Sequence, residues 1–314
     1  MRVFIAGATG AVGVRLVPLL VAAGHRVVGL TRSADKADSI RDMGADAAVA
    51  DGLDAHAVRS AVSDARPEVI VHEMTALRGG DLRRFDRTFA LSNRLRTEGL
   101  DHLLAAGREA GAKRFVAQSY CGWPYARSGD NVKSEDDPLD PDPPAQFRQT
   151  LDAIRHLETQ LLGATDMTSV VLRYGAFYGP RTGTTETSVL QQLRRGLFPM
   201  IGPGSGWWSF LHIDDAAIAT AVAVEGGPGG IYNIVDDDPA PVSEWLPVLA
   251  AAAGARAPRR IPRWLGRWLA GEPLAIMMNE VRAGSNAKAR HLLGWTPLYS
   301  SWRTGFQNAI AVKA

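Results

Sequence analysis

Through the first half of the chain, short apolar runs alternate with segments whose apolar positions recur at helical spacing. Arg2–Ala6, Arg26–Leu30, Ala47–Ala50, Glu68–His72, Arg114–Gln118 and Ser169–Arg173 read as strands. Between them, Val12–Ala23, Ala34–Met43, Ala55–Ala65, Phe85–Ala110 and Gln149–Leu162 read as helices. Strands separated by helices imply right-handed crossovers, so the pattern predicts an α/β chain with a parallel sheet covered on both faces. In such a sheet ligands gather beyond the carboxyl ends of the strands. Pro18 lies inside the first helical pattern, removes one backbone hydrogen bond and is expected to bend that helix.

Two stretches break the rhythm. From Asp130 to Pro144 the composition turns to Asp and Pro, which hold neither helix nor central strand. This is read as a long surface loop, either a solvated connection or a flap near the site. After Arg173 the chain becomes punctuated by Gly and Pro and rich in tryptophan, with Trp207, Trp208, Trp245, Trp264, Trp268, Trp295 and Trp302. A smaller, partly helical second lobe is expected over 174–209 and 239–314. Phe210–Glu225, a strand followed by a helix, returns to the first lobe, so residues 1–173 are rejoined by about 210–238. Within the second lobe, Ile261–Leu269 alternates arginine with tryptophan as a membrane-surface helix does. Its flanking Gly and Pro make it short, which favours a helix of the lobe with Trp264 and Trp268 packed inward.

Composition narrows the class. The 314 residues are 46% hydrophobic and 22% charged, enough for a large core. The 35 basic and 33 acidic residues are dispersed, leaving a net charge of +2 and no basic block suited to nucleic acid. A lone cysteine, Cys121, excludes an internal disulfide framework and reads as a small buried hydrophobe. The histidines show no metal-ligand spacing, so no metal is expected. No apolar run is long enough to span a bilayer, and Met1-Arg2 leads directly into a strand without a signal-like region. The expected location is the cytoplasm, with no membrane partner.

Chemistry enters with Gly7-Ala8-Thr9-Gly10-Ala11-Val12-Gly13, a glycine turn between the first strand and the first helix. Gly7 permits the tight turn, Gly10 lets backbone approach a pyrophosphate, and Gly13 lets helix and sheet pack closely. Unpaired N–H groups and the positive helix end converge there, so an anionic dinucleotide is expected. Thr31-Arg32-Ser33 follows the second strand, where an NAD site of the simplest kind has a carboxylate. A guanidinium between two hydroxyls suits a 2′-phosphate and predicts NADP(H), although a solvated charge at a helix start would look the same. Asp51-Gly52-Leu53 is placed to meet the adenine, with Asp51 equally able to cap a helix. Met74, Thr75 and Gln118, at the ends of the fourth and fifth strands, complete the cofactor-binding set.

These strings, with Val69-Ile70-Val71-His72, Arg114-Phe115-Val116-Ala117-Gln118-Ser119, Leu172–Pro180, Phe210–Asp215, Tyr232-Asn233-Ile234 and Leu293–Pro297, carry a resemblance along nearly the whole chain. The sequence resembles an extended short-chain dehydrogenase/reductase of the NAD-dependent epimerase/dehydratase type. The resemblance implies a Rossmann lobe, a doubly wound parallel sheet for the cofactor, with a smaller C-terminal lobe holding the substrate. It also implies a homodimer through the long helices Phe85–Ala110 and Gln149–Leu162. That family's proton relay uses a Tyr-x-x-x-Lys pair on the helix after the fifth strand. Aligned on Glu158, this chain has Thr150 and Ile154 there, with Arg148 and Arg155 out of register and no such pair elsewhere. The family's catalytic serine or threonine falls at Tyr120, with Ser119 just before it.

A hydride transfer needs its acceptor held against the nicotinamide and a way to neutralise any alkoxide formed. Tyr120 is the first candidate donor, or else an aromatic wall of the pocket. Ser119 is the second, or else a hydroxyl satisfying the strand end. His72 is the third, with a buried structural histidine as its alternative. A substrate's own phenol or an ordered water is a further source of the proton. Trp123, Tyr125, Tyr174, Phe177, Tyr178, Trp207 and Trp208 are candidate substrate-binding residues for a flat small-molecule ligand, where core packing is the competing explanation. The expected function is an NADPH-dependent ketoreductase of a hydrophobic or aromatic carbonyl compound. The alternatives are a nucleotide-sugar epimerase or dehydratase and a redox-inactive NADP-binding regulator.

Overall fold

A computed structural model describes residues 1–76, 85–180, 182 and 187–311. Its centre is a seven-stranded parallel sheet of β1 (Arg2–Ala6), β2 (Arg26–Thr31), β3 (Asp46–Val49), β4 (Val69–His72), β5 (Arg114–Tyr120), β7 (Thr168–Tyr174) and β12 (Gly230–Ile234). The strand order is β12-β7-β5-β4-β1-β2-β3, so the chain winds outward from β1 in both directions. Ala6 pairs with Leu30 of β2 on one side and His72 of β4 on the other, which opens a crevice at the carboxyl end of β1.

Successive residues of a strand face opposite sides, and the core divides accordingly. Val3 and Ile5, with Val69, Val71, Val116 and Val170, meet α1 (Gly13–Ala22), α2 (Ala37–Asp42) and α8 (Ile213–Glu225). Phe4 and Ala6, with Ile70, Phe115 and Val171, meet α3 (Ala55–Ala65), α5 (Leu100–Ala110) and α6 (Ala145–Leu162). Because both faces are covered, β-strand residues are apolar almost throughout. A further core surrounds Phe210, whose ring meets Trp245 at 5.3 Å and Phe306 at 5.2 Å.

Short strands stitch the remainder together. β6 (Val132–Lys133) pairs with β15 (Ala283–Gly284), β8 (Ala176–Tyr178) with β11 (Phe210–His212), β9 (Met200–Ile201) with β14 (Arg260–Ile261), and β10 (Trp207–Trp208) with β13 (Ala240–Pro241). The helices here are α7 (Thr187–Arg194), α9 (Val242–Ala252), α10 (Arg263–Ala270), α11 (Glu272–Asn279) and α12 (Trp302–Ala311). Among the described residues, no helix is long and apolar enough to cross a membrane.

Three expectations change. The segment 130–144 is docked: β6 joins it to β15, Glu135 accepts from the Asn233 amide, and Arg127 binds Asp140 at 2.8 Å. Polar side chains that find partners hold this surface segment in place, where composition left a solvated connection and a flap equally open. Trp264 and Trp268 are 72% and 78% exposed, because α10 turns its small Gly266, not its indoles, toward Ile201. Finally, Phe85–Ala110 is not one regular helix, since α4 (Phe85–Arg94) passes through a π-turn, Leu95–Gly99, into α5.

Candidate active site

The glycine turn closes tightly over the crevice. Gly7 has φ +102°, and a Cβ there would lie 2.6 Å from the Glu73 carbonyl. On Gly13 a Cβ would lie 2.3 Å from the Gly7 oxygen, so α1 can begin this close to β1 only without a side chain. Gly10 is exposed, donates its amide to Gly7 O at 2.9 Å and would meet only that oxygen with a Cβ. Thr9 and Ala11 are half-buried beside it and Val12 is buried. Arg15 reaches from the first turn of α1 to the Asp214 carboxylate at the start of α8, at 2.5 Å, and to Pro180 O. The open space above Gly10 and the convergent amides fit a dinucleotide's phosphates.

At the end of β2, Thr31 is buried, Ser33 half-buried and Arg32 exposed beside exposed Lys36. Asp51 accepts from the Leu53 amide at 3.0 Å, and the cap of α3 is instead Asp54, which accepts from His56 and Ala57. Gly52 packs against Met74, and Gln118 is buried while Thr75 is exposed.

The catalytic candidates separate by their partners. His72 bonds Leu95 O through Nε2 at 3.0 Å and accepts the Met74 amide at Nδ1, and burial lowers its pKa to about 4. Neither ring nitrogen remains for a ligand. Ser119 donates to Glu158 Oε1 at 2.8 Å, and the same carboxylate receives Arg173 through Nε at 2.8 Å and Nη2 at 2.6 Å. Arg173 also donates to the Tyr125 hydroxyl, which in turn binds Asn233. Burial works against the Arg173 charge, but the Glu158 bonds outweigh it and hold its pKa above the ordinary value. Tyr120 alone among the three has no hydrogen-bond partner for its side chain within the described residues. Burial pushes its hydroxyl pKa up, which weakens it as an acid.

A small pocket opens at Tyr120, walled by Cys121, Trp123, Trp207, Trp208 and Met277 among others. Trp123 is braced by Phe147 at 5.0 Å and by Phe85 at 5.6 Å, and Trp208 by its Nε1 bond to Met277 O. Phe177 lies half-buried against Tyr174. Tyr125, Tyr174 and Tyr178 lie in the interior and do not line this pocket. Tyr178 packs on Phe306, and the Tyr174 hydroxyl lies 2.8 Å from Glu73 and 2.6 Å from Thr220. They carry core aromatic surface with a polar tip, a pattern that sequence does not distinguish from a pocket wall.

Two residues with no sequence signal stand out. Glu73 is buried with Oε2 unbonded, and burial raises its pKa to about 8 despite the Tyr174 hydrogen bond, so it keeps its proton at neutral pH. Arg96, on the π-turn, is 6% exposed with Nε and Nη1 unbonded. Thr150 and Ile154 are buried on α6, where Thr150 receives a hydrogen bond from Asn93 at 3.0 Å.

With a doubly wound sheet and a glycine-lined crevice in place, the comparison with known proteins is direct. The profile of the NAD dependent epimerase/dehydratase family matches residues 3–235, and the chain belongs to that family. It is 44% identical over 309 residues to the 3-diazoavenalumate denitrifying reductase of a Streptomyces species, covering 97% of this chain and 99% of the relative. The 4-hydroxy-2-methyl-3-oxo-4-farnesyl-3,4-dihydroquinoline-1-oxide ketoreductase of Stigmatella aurantiaca is 29% identical over 263 residues, 82% of this chain and 75% of its own length. In fold, the UDP-glucose 4-epimerase of Thermotoga maritima superposes with a TM-score of 0.78 at 20% identity, covering 99% of this chain and 98% of the other.

Proposed function

We propose that this protein is an NADPH-dependent reductase of a flat aromatic compound, and that the group it reduces takes up no proton: an aryl diazonium, which leaves as dinitrogen. The carrying observation is the state of the polar side chains at the strand ends. His72 and Ser119 are committed to internal bonds, and Tyr120, the unbonded hydroxyl, is made a poorer acid by burial. Gly7–Gly13 would hold NADPH and Arg32 would pair with its 2′-phosphate, and the chemistry such a cofactor would supply is a hydride. In the net reaction the hydride pair becomes a C–H bond, the C–N pair departs with dinitrogen, and the diazonium charge is cancelled. No acid is required, whereas a ketone leaves an alkoxide that must be protonated. The 44% identity to a denitrifying reductase whose name specifies a diazo substrate supports this reading. The residues' task is then positioning: Trp123, Trp207 and Trp208 hold a ring in the pocket and keep water from the reacting carbon.

A second reading, reduction of an aromatic ketone, is favoured by the Tyr120 hydroxyl on the pocket wall and by the similarity to a ketoreductase. One experiment separates the two. The enzyme is given NADPH deuterated at the transferring position with either an aryl diazonium salt or an aryl ketone, and Tyr120→Phe is run beside it. The diazonium reading expects enzyme-dependent deuterium on the ring carbon that lost nitrogen, with Tyr120→Phe nearly unchanged. Ketone turnover that falls about a hundredfold in Tyr120→Phe, with no arene formed from the diazonium, selects the second reading instead.

A further inference from the structure

Arg96 lies where the helical segment loosens into its π-turn, beside the Leu95 carbonyl that binds His72 and just beyond the Asn93 that binds Thr150. Such one-turn widenings recur at functional sites, because they change which side chains a helix presents. Here the side chain presented is a guanidinium buried without a counter-ion. Among the described residues no carboxylate offsets it: Glu98, on the same turn, is bound on both oxygens by Arg94. The ionisable neighbours that share its field are His72, which is neutral, and the Tyr120 hydroxyl. Desolvation lowers the Arg96 pKa only to about 10, so the cation persists at neutral pH.

A buried, unpaired charge is costly, and nothing among the described residues offsets this one. Arginine also offers a rigid fork of donors matched to a carboxylate or another oxyanion. Arg96 does not itself line the aromatic pocket, but Tyr120, which shares its field, does, so the guanidinium lies behind that wall.

We propose that Arg96 is an anion-binding residue of the site and that the substrate is an aromatic acid, whose carboxylate or ionised phenol pairs with the guanidinium. This rests on the pocket being the substrate site of the reductase described above, but it concerns the anchoring group and not the group reduced. Binding to the full chain saturated with NADP+ is measured by calorimetry for four flat probes: cinnamate, methyl cinnamate, 4-hydroxycinnamate and methyl 4-hydroxy-3-nitrocinnamate, whose phenol is acidified. Wild type is expected to bind at least one anion roughly tenfold or more tightly than methyl cinnamate. A preference for cinnamate assigns the carboxylate, and one for the nitrophenol ester assigns the phenolate. Arg96→Met should erase the preference while leaving methyl cinnamate unaffected, and Arg96→Lys should keep part of it. Because Arg96→Met removes an unpaired buried charge, its thermal midpoint should equal or exceed wild type. Equal binding of acids and neutral ester by wild type, an anion preference that survives Arg96→Met, or a midpoint lowered by that substitution overturns the proposal. Nothing is turned over in these measurements. Failed diazonium reduction with an intact Arg96-dependent preference therefore removes the reductase reading alone, and the converse result removes Arg96 alone.

Discussion

Two arginines lie buried on the same side of the central sheet, and they have opposite surroundings. Arg173 spends Nε and Nη2 on Glu158 and Nη1 on Tyr125, inside a network that also takes the Ser119 proton. Arg96 has two buried nitrogens bound to nothing among the described residues. The paired guanidinium has a bond on each of its three nitrogens and ties β5 and β7 to α6. An unsaturated one lowers the stability of the fold unless something from outside completes it. The contrast teaches that burial of a charge is not by itself a mark of function; the unfilled valence is.

The sharpest way to break the contrast is to make Arg173 resemble Arg96. Glu158→Ala leaves the Arg173 charge buried and unpaired and should cost about 3–5 kcal/mol, read from urea unfolding. A loss below about 1 kcal/mol would show that the network is not holding the sheet.

Glu73 shows a third solution to burial, which is to stay protonated. Its folded pKa of about 8 lies above the ordinary carboxylate value, so the folded state binds more protons than the unfolded state between those limits. Stability from this group is therefore complete in acid and lost as pH rises through about 8. At pH ~6.5 the unfolded His72 is still half protonated, but wild type and Glu73→Gln share it, so its contribution cancels between them. From there to pH ~8 the wild type should lose about 2 kcal/mol that Glu73→Gln does not lose. Parallel pH profiles for the two proteins would remove Glu73 as the cause.

The smallest expected effect concerns a cation that is not buried at all. Arg32 is exposed at the end of β2, so the contact proposed for it with a 2′-phosphate would be open to solvent and screened by salt. Arg32→Ala should weaken NADPH binding about tenfold and leave NADH binding unaltered. Equal weakening of both cofactors, or of neither, would detach Arg32 from the 2′-phosphate.

Much of this was legible in the residues. The alternation of apolar runs and helical spacing located β1, β2, β3, β4, β5 and β7 to within about two residues, because strands covered on both faces must be apolar in both directions. The glycine turn was legible because only glycine satisfies both φ +102° at residue 7 and the contact at residue 13. The buried polar groups were not. Glu158 and Arg173 are fifteen residues apart and meet only because α6 crosses over onto β7. Arg96 falls between Leu95 and Thr97 with the look of a solvated helix charge, and the shift of hydrogen-bond register that turns it inward has no compositional mark. For Ile261–Leu269 the amphipathic pattern was visible, but a pattern does not say which face the rest of the chain will cover.

That uncovered face has an optical consequence. Trp264 and Trp268, at 72% and 78% exposure, meet solvent, whereas Trp123, Trp207 and Trp208 are partly sheltered at the pocket. A water-soluble collisional quencher will extinguish the α10 indoles first and with little protection. What emission remains comes from the buried Trp245, Trp295 and Trp302 together with the three indoles at the pocket, so with the α10 signal removed a change on adding ligand reports the pocket tryptophans against a constant buried background.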